Sequence, residues 1–183
     1  MCVAIAWENK LCKINSIIQR GGPEGRLRER SICKVDGTEL FDRHIKEHTA
    51  NGNMHPGENW YERDFREGDG ILGGFTDLDW HALKKMFGNR TNIWQEACVY
   101  VLGESNYPGS ANMLADVFVR GQDNISCYSS IFLSELNLDT FADETKRQIR
   151  LRAHDLFKEG KYRQHGEHYR IHLEQIREKL RPV

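Results

Sequence analysis

Apolar and polar positions alternate along the chain in two different periods. Val3 to Trp7 is a continuous apolar run of strand length, and Ser31 to Val35 is a second short run that meets the turn signal Asp36-Gly37. Beyond it the period changes: Leu40, Phe41, His44, Ile45 and His48 recur at three and four residues, the spacing of one helix face. The glycine-rich stretch 49–75, TANGNMHPGENWYERDFREGDGILGGF, carries no sustained period and predicts a long irregular loop, ordered by packing or by a partner. From Asp77 onward the pattern is helical. Asp77 or Asp79 can cap a helix through Phe87, and Asn89 or Thr91 can cap another over Asn92 to Leu102. Ala111–Val119 and Ile125–Leu136 read as buried helices. Asp139 or Thr140 opens an amphipathic helix ending near Gly160, and a last helix fills 161–181.

The predicted class is therefore mostly α with a small β-containing amino-terminal region, an α+β fold. Residues 1–136 are expected to form one globular domain, with 137–183 as an antiparallel helical hairpin packed on it or docking a partner. The hairpin reading rests on two stripes joined at Gly160. Ala142, Thr145, Ile149, Ala153 and Leu156 make the first, and Tyr162, Gly166, Tyr169, Leu173, Ile176 and Leu180 the second. Within them Ala153, Leu156, Gly160, Tyr162 and Tyr169 stand at offsets that resemble one tetratricopeptide repeat. That repeat places small residues where His165 and His172 stand. The resemblance implies one docking hairpin rather than a solenoid, with Gly166 as the small helix contact.

Composition narrows the class. Hydrophobic residues make up 39% and charged residues 29%, which suits a folded domain rather than a disordered or membrane-spanning chain. A net charge of −1 argues against binding nucleic acid or anionic membranes by bulk charge. Charge is unevenly placed, however. Residues 143–183 hold eleven Lys and Arg against seven Asp and Glu, about +4, leaving about −5 on the remainder. Such asymmetry suits docking to an acidic protein surface, or a weaker RNA or DNA contact through the basic helices. Five scattered cysteines without a CxxC pair, and no basic region ahead of the first apolar run, predict a soluble intracellular protein in a reducing compartment, cytoplasmic or nuclear.

Four constellations carry candidate chemistry. Cys33, Asp36, His44 and His48 in CKVDGTELFDRHIKEHT have metal-ligand types, the two histidines one helical turn apart. The stretch resembles the tail of a Cys2His2 finger, with Asp36 where that family has its second cysteine. Read with Gly52 and Glu58-Asn59-Trp60, it also resembles the first parts of an HNH nuclease. That resemblance implies His44 as the group activating water, Asn59 as the residue orienting the hairpin, and His55 or His81 on a divalent cation. Arg43 stands where that family has an Asp. Trp80, Leu83, Phe87, Gly88, Arg90, Thr91 and Gln95 resemble a Myb/SANT helix-turn-helix, although the later helix is poor in Lys and Arg. The amino-terminal Cys2 is of the type used by amino-terminal nucleophile hydrolases, but the chain lacks the strands of their layered sandwich.

The remaining candidates are contact residues. Trp60, Tyr61 and Phe65 sit within an acidic loop, where aromatics either pin the loop to the core or form an interface. His165, His168, Tyr169, Arg170 and His172 lie in QHGEHYRIHL and are expected on the flank of the last helix, a titratable edge facing solvent or a partner. The leading expectation is a non-enzymatic interaction or assembly-subunit protein, a description that fits a viral or phage accessory protein, without a cofactor. The rival is the divalent-metal nuclease centred on His44 and Asn59.

Overall fold

Helix-capping chemistry explains most of the architecture of the computed structural model, which describes residues 36–50 and 56–181. Asp36 caps α1 (Gly37–Thr49), its Oδ1 accepting from the Thr38 amide at 2.9 Å. A π-helical turn (Trp60–Asp64) runs directly into α2 (Phe65–Leu72). Thr76 begins α3 (Asp77–Phe87) with a reciprocal capping box: its hydroxyl serves the Asp79 amide, and Asp79 Oδ2 accepts from the Thr76 amide at 2.7 Å. Thr91 caps α4 (Asn92–Glu104), and Pro108 occupies the first turn of α5 (Pro108–Arg120). Helix α6 (Asp123–Glu135) follows. A short 3-10 turn, Leu138–Thr140, leads to α7 (Asp143–Lys158), a second one, Lys161–Gln164, follows, and α8 (Tyr169–Lys179) ends the fold.

Helices α4 and α6 form the centre. Helices α1 and α2 cover α4 on one side; α5 lies across α4 and α6; α7 packs on α5, and α8 on both α6 and α7. The first turns of α7 share a hollow with the last turns of α8, so these two helices run antiparallel. One apolar cluster extends from Phe41 through Trp94, Leu114 and Leu133 to Ile149 and Ile176. Ser126, Ser129, Ser130 and Ser134 are buried along α6. Their hydroxyls are satisfied locally: Ser129, Ser130 and Ser134 each donate to the carbonyl three residues back. Small hydroxyl side chains let α6 take neighbours on several faces without orphaned polar atoms.

Several expectations are corrected. No strand occurs among the described residues, and every element there is helical, so the α+β assignment gives way to an all-helical one. The runs Val3–Trp7 and Ser31–Val35 lie outside the described residues. The turn signal Asp36-Gly37 is the start of the helix that was expected to follow it, because the Asp36 carboxylate caps that helix. The expected loop 49–75 is helical over most of its second half: Trp60 and Phe65 supply buried contacts that outweigh the low helix propensity of Gly68 and Gly70. The last helix is broken. Gly166 has φ +147°, which no helix accommodates, so the segment 161–168 is a 3-10 turn and a bend ahead of α8. Gly160, with φ +63°, ends the preceding helix as a left-handed C′ residue, as its position predicts. The stripes are buried in part: Ile149, Ala153 and Leu156 of the first and Tyr162, Leu173 and Ile176 of the second lie in the core, whereas Ala142 is exposed.

A close approach occurs at Gly103 on α4, where a Cβ would overlap the ring of Phe132 on α6. Gly103→Ala is therefore expected to destabilise the protein by about 1–3 kcal/mol through overpacking, despite the roughly 1 kcal/mol of helix propensity that alanine adds. Urea denaturation measures the difference; a more stable variant would contradict the close approach.

Candidate functional site

Two regions gather the residues that sequence reasoning singled out. The first lies where α1 meets the π-helical turn. His44 is only 5% exposed, and its Nε2 stands 3.0 Å from the Asp64 carbonyl oxygen. A carbonyl can only accept, so Nε2 carries the proton, and the other ring nitrogen faces the exposed Glu67 carboxylate at 3.9 Å. His48 Nδ1 lies 3.2 Å from Asp64 Oδ2. Trp60, 1% exposed, lies with its ring centroid 5.5 Å from each imidazole, and its indole N–H has no partner among the described residues. The two histidines thus brace the π-helical turn onto α1 through the backbone and side chain of one residue, Asp64.

Among the described residues, this geometry brings His44 and His48 together at Asp64 but joins neither Asn59 nor Asp36 to them. Asn59 is exposed just ahead of the π-helical turn, whereas His44 is buried beneath Trp60. Asp36 is committed to its helix cap, and Cys33 and His55 lie outside the described residues. Among the described residues no three His, Cys, Asp or Glu side chains come together around a point where a metal ion could be held. Tyr61 and Phe65 turn inward. Their rings meet Tyr100 edge-on at 4.8 and 5.2 Å, and the Tyr100 hydroxyl donates to the Tyr61 carbonyl at 3.1 Å. Of the two roles open to these aromatics, the structure supports pinning the segment to the core.

The helix-turn-helix residues are also occupied internally. Arg90 makes a two-pronged ion pair with Asp42 of α1, both bonds at 2.8 Å, and Gln95 donates to the Phe87 and Arg90 carbonyls at the end of α3. Trp94 and Gln95 are buried. Helix α4 is a core element with no face free to enter a groove of DNA.

The second region is the carboxy-terminal hairpin. Because Gly166 breaks the chain, the three histidines do not share a helix. His165 and His168 are exposed, the latter with its ring centroid 4.0 Å from that of Tyr169 at a tilt of 43°. His172 turns toward α6, its Nδ1 3.0 Å from Ser134 Oγ. The single hydroxyl proton of Ser134 already goes to the Ile131 carbonyl at 2.7 Å, so His172 is the donor and the pair is no activated nucleophile. Burial lowers the His172 pKa from its ordinary value, opposed by Glu135 and reinforced by His168. Burial also raises the Tyr169 phenol to about 12, with Cys127, Glu96 and Tyr61 adding to the shift. Arg170 is exposed and pairs with Glu174 at 3.1 Å.

Between the outward faces of α7 and α8 runs a trough of about 700 Å³ that no sequence motif indicated. Leu151 lies in it, 47% exposed, beside Arg150 and His154 of α7. Arg177 of α8 lies across the Phe157 ring at 4.3 Å, and among the described residues Arg181 pairs only with Glu178. A second hollow of about 360 Å³ shares Arg150 and Arg181 and extends the trough past Arg147 and Lys179. The sequence signal existed in principle: an apolar residue on the polar face of α7, at 151, set between cationic positions. It emerges only once α8 is laid antiparallel alongside.

No protein-family model, curated protein or solved structure matches the chain.

The His172 environment has a pH consequence. Its folded-state pKa lies below the unfolded value near 6.5, so its contribution to stability is complete above that value and is lost as pH falls through the folded pKa. Relative to wild type, His172→Gln is expected to lose less stability between pH 7.5 and 5 in denaturant titrations. Ring NMR should place the His172 midpoint below its unfolded value near 6.5; a midpoint above that value would contradict the burial argument.

Proposed function

We propose that the chain is a non-enzymatic interaction or assembly-subunit protein whose contact surface is the outward face of its carboxy-terminal hairpin. The observation that carries this reading is the α7–α8 trough, where an exposed leucine lies among arginines that have few internal partners. Elsewhere, prominent charged and aromatic candidates are committed within the fold: Arg90 to Asp42, Arg152 to Asp123 and the Gly121 carbonyl, Trp60 and Phe65 to the core. The aromatic segment around Trp60 thus supports the fold, and the contact role falls to the hairpin. The +4 charge of residues 143–183 favours a partner with an acidic surface.

Among the described residues no helix is long and apolar enough to cross a membrane. Cys98 and Cys127 are buried thiols without a disulfide, which supports placing the protein in a reducing, intracellular compartment. Burial raises Cys127 to about 11, leaving it an unreactive thiol at neutral pH. No contact among the described residues adds to the nuclease reading built on His44 and Asn59.

Site-specific photocrosslinking in the native host tests the proposal. A photoreactive residue at Leu151 is expected to give a discrete adduct with one acidic protein, and the same residue at Leu78, 81% exposed on α3, is expected to give none. Equal labelling from both positions, or no adduct from anywhere on the hairpin, would contradict it.

A further inference from the structure

The trough has more chemical detail than a basic patch, and that detail restricts what fits it. Resting on the reading above, we infer that it takes a short segment of a partner protein in which one aliphatic side chain is flanked by one or two carboxylates. The aliphatic side chain meets Leu151, whose half-exposed surface lies in the trough. The carboxylates meet Arg150 and Arg177. Among the described residues Arg150 makes no ion pair or hydrogen bond, and Arg177 lies over the Phe157 ring at 4.3 Å, so both guanidinium groups can offer a carboxylate a two-pronged contact. The Arg181–Glu178 pair, with both side chains about three-quarters exposed, is weak enough to exchange partners as the segment enters.

The same walls argue against a nucleic acid. Glu174 and Glu178 line the first hollow, and Asp139 and Asp143 line the second, so a strand bearing a charge at every nucleotide would meet four carboxylates. Arg177 covers the nearby Phe157 ring, so among the residues that line the trough only the His154 imidazole offers a base a face to stack on. These acidic groups also limit how acidic the protein segment can be. A dense run of Asp and Glu is opposed by Glu174 and Glu178, while a sparse pair around a leucine is not. The volume of about 700 Å³ suits a few side chains rather than a whole folded surface.

Selection of twelve-residue peptides from a random displayed library, on the full chain, tests the inference without knowledge of the natural partner. Enriched peptides are expected to carry Leu, Ile or Met within four positions of one or two Asp or Glu. Their binding, followed by fluorescence anisotropy, is expected to weaken at least tenfold on Leu151→Asp and on Arg150→Glu. Both side chains reach the surface, so circular dichroism and thermal unfolding should match wild type. A random-sequence single-stranded RNA of twenty nucleotides is expected to bind more weakly than the selected peptides. Neutral or basic winners, binding indifferent to both substitutions, or tighter binding of the RNA would overturn the inference. So would self-association in sedimentation equilibrium that Leu151→Asp abolishes, because the occupant would then be a second copy. If crosslinks still form at 151 while the peptides fail, the segment chemistry is wrong and the hairpin reading stands; if both fail, both fall.

Discussion

The approach of α4 to α6 is the constraint from which the other contacts follow. With hydrogen alone at position 103, the Phe132 ring lies against the backbone of α4, and two helices that carry much of the core meet closely. Phe132 then touches Tyr100 and Tyr128, at centroid distances of 5.7 and 5.9 Å. Tyr100 in turn holds Tyr61 and Phe65, so an aromatic chain leads from the centre of the molecule to the π-helical turn. On the other side of α6, Ser134 receives His172, and Lys179 donates to the Ser134 and Leu136 carbonyls at 2.6 and 3.0 Å, closing the end of that helix. The hairpin is thus fixed by polar contacts at helix ends as well as by its apolar stripe. Among the described residues, none packs over Leu151 on its outward face.

The phenols of Tyr61 and Tyr128 and the imidazole of His172 share one electrostatic pattern. Burial raises Tyr61 and Tyr128, and the Glu96 carboxylate near them adds to the effect. Burial lowers His172. Each group is held in its neutral form near pH 7, which is what a structural hydrogen-bonding role requires. A working acid or base would need its pKa close to ambient pH. This is a physical reason for reading the interior as architecture and looking to the surface for function.

Helical periodicity was the legible part of the chain. The stripes through Ile149 and Leu173, the Thr91 cap and the Gly160 terminus follow from spacing and residue type, and they place α4 to α7 nearly correctly. Where local chemistry competed with tertiary contacts, the sequence misled. Gly68 and Gly70 suggested a loop, yet Trp60 and Phe65 bury enough surface to hold a π-helical turn and a helix there. The spacing of His165, His168 and His172 suggested one helix face. Gly166 carries the same one-letter signal whether it sits in a helix or at φ +147°, and only the fold distinguishes the two. Thr76 was missed as a cap because two aspartates follow it closely, and Asp79 serves as its reciprocal partner. The trough was invisible for a different reason: it belongs to neither helix alone.

The central claim is that recognition occurs on the outer hairpin face while the α4–α6 centre stays rigid. Methyl NMR of a leucine-labelled chain, titrated with a peptide selected on it, tests this most directly. The account predicts that the Leu151 and Leu180 signals shift, while those of Leu133 in the core and Leu78 on α3 hold still. Movement at Leu78 with none at Leu151, or a general change reaching Leu133, would contradict it.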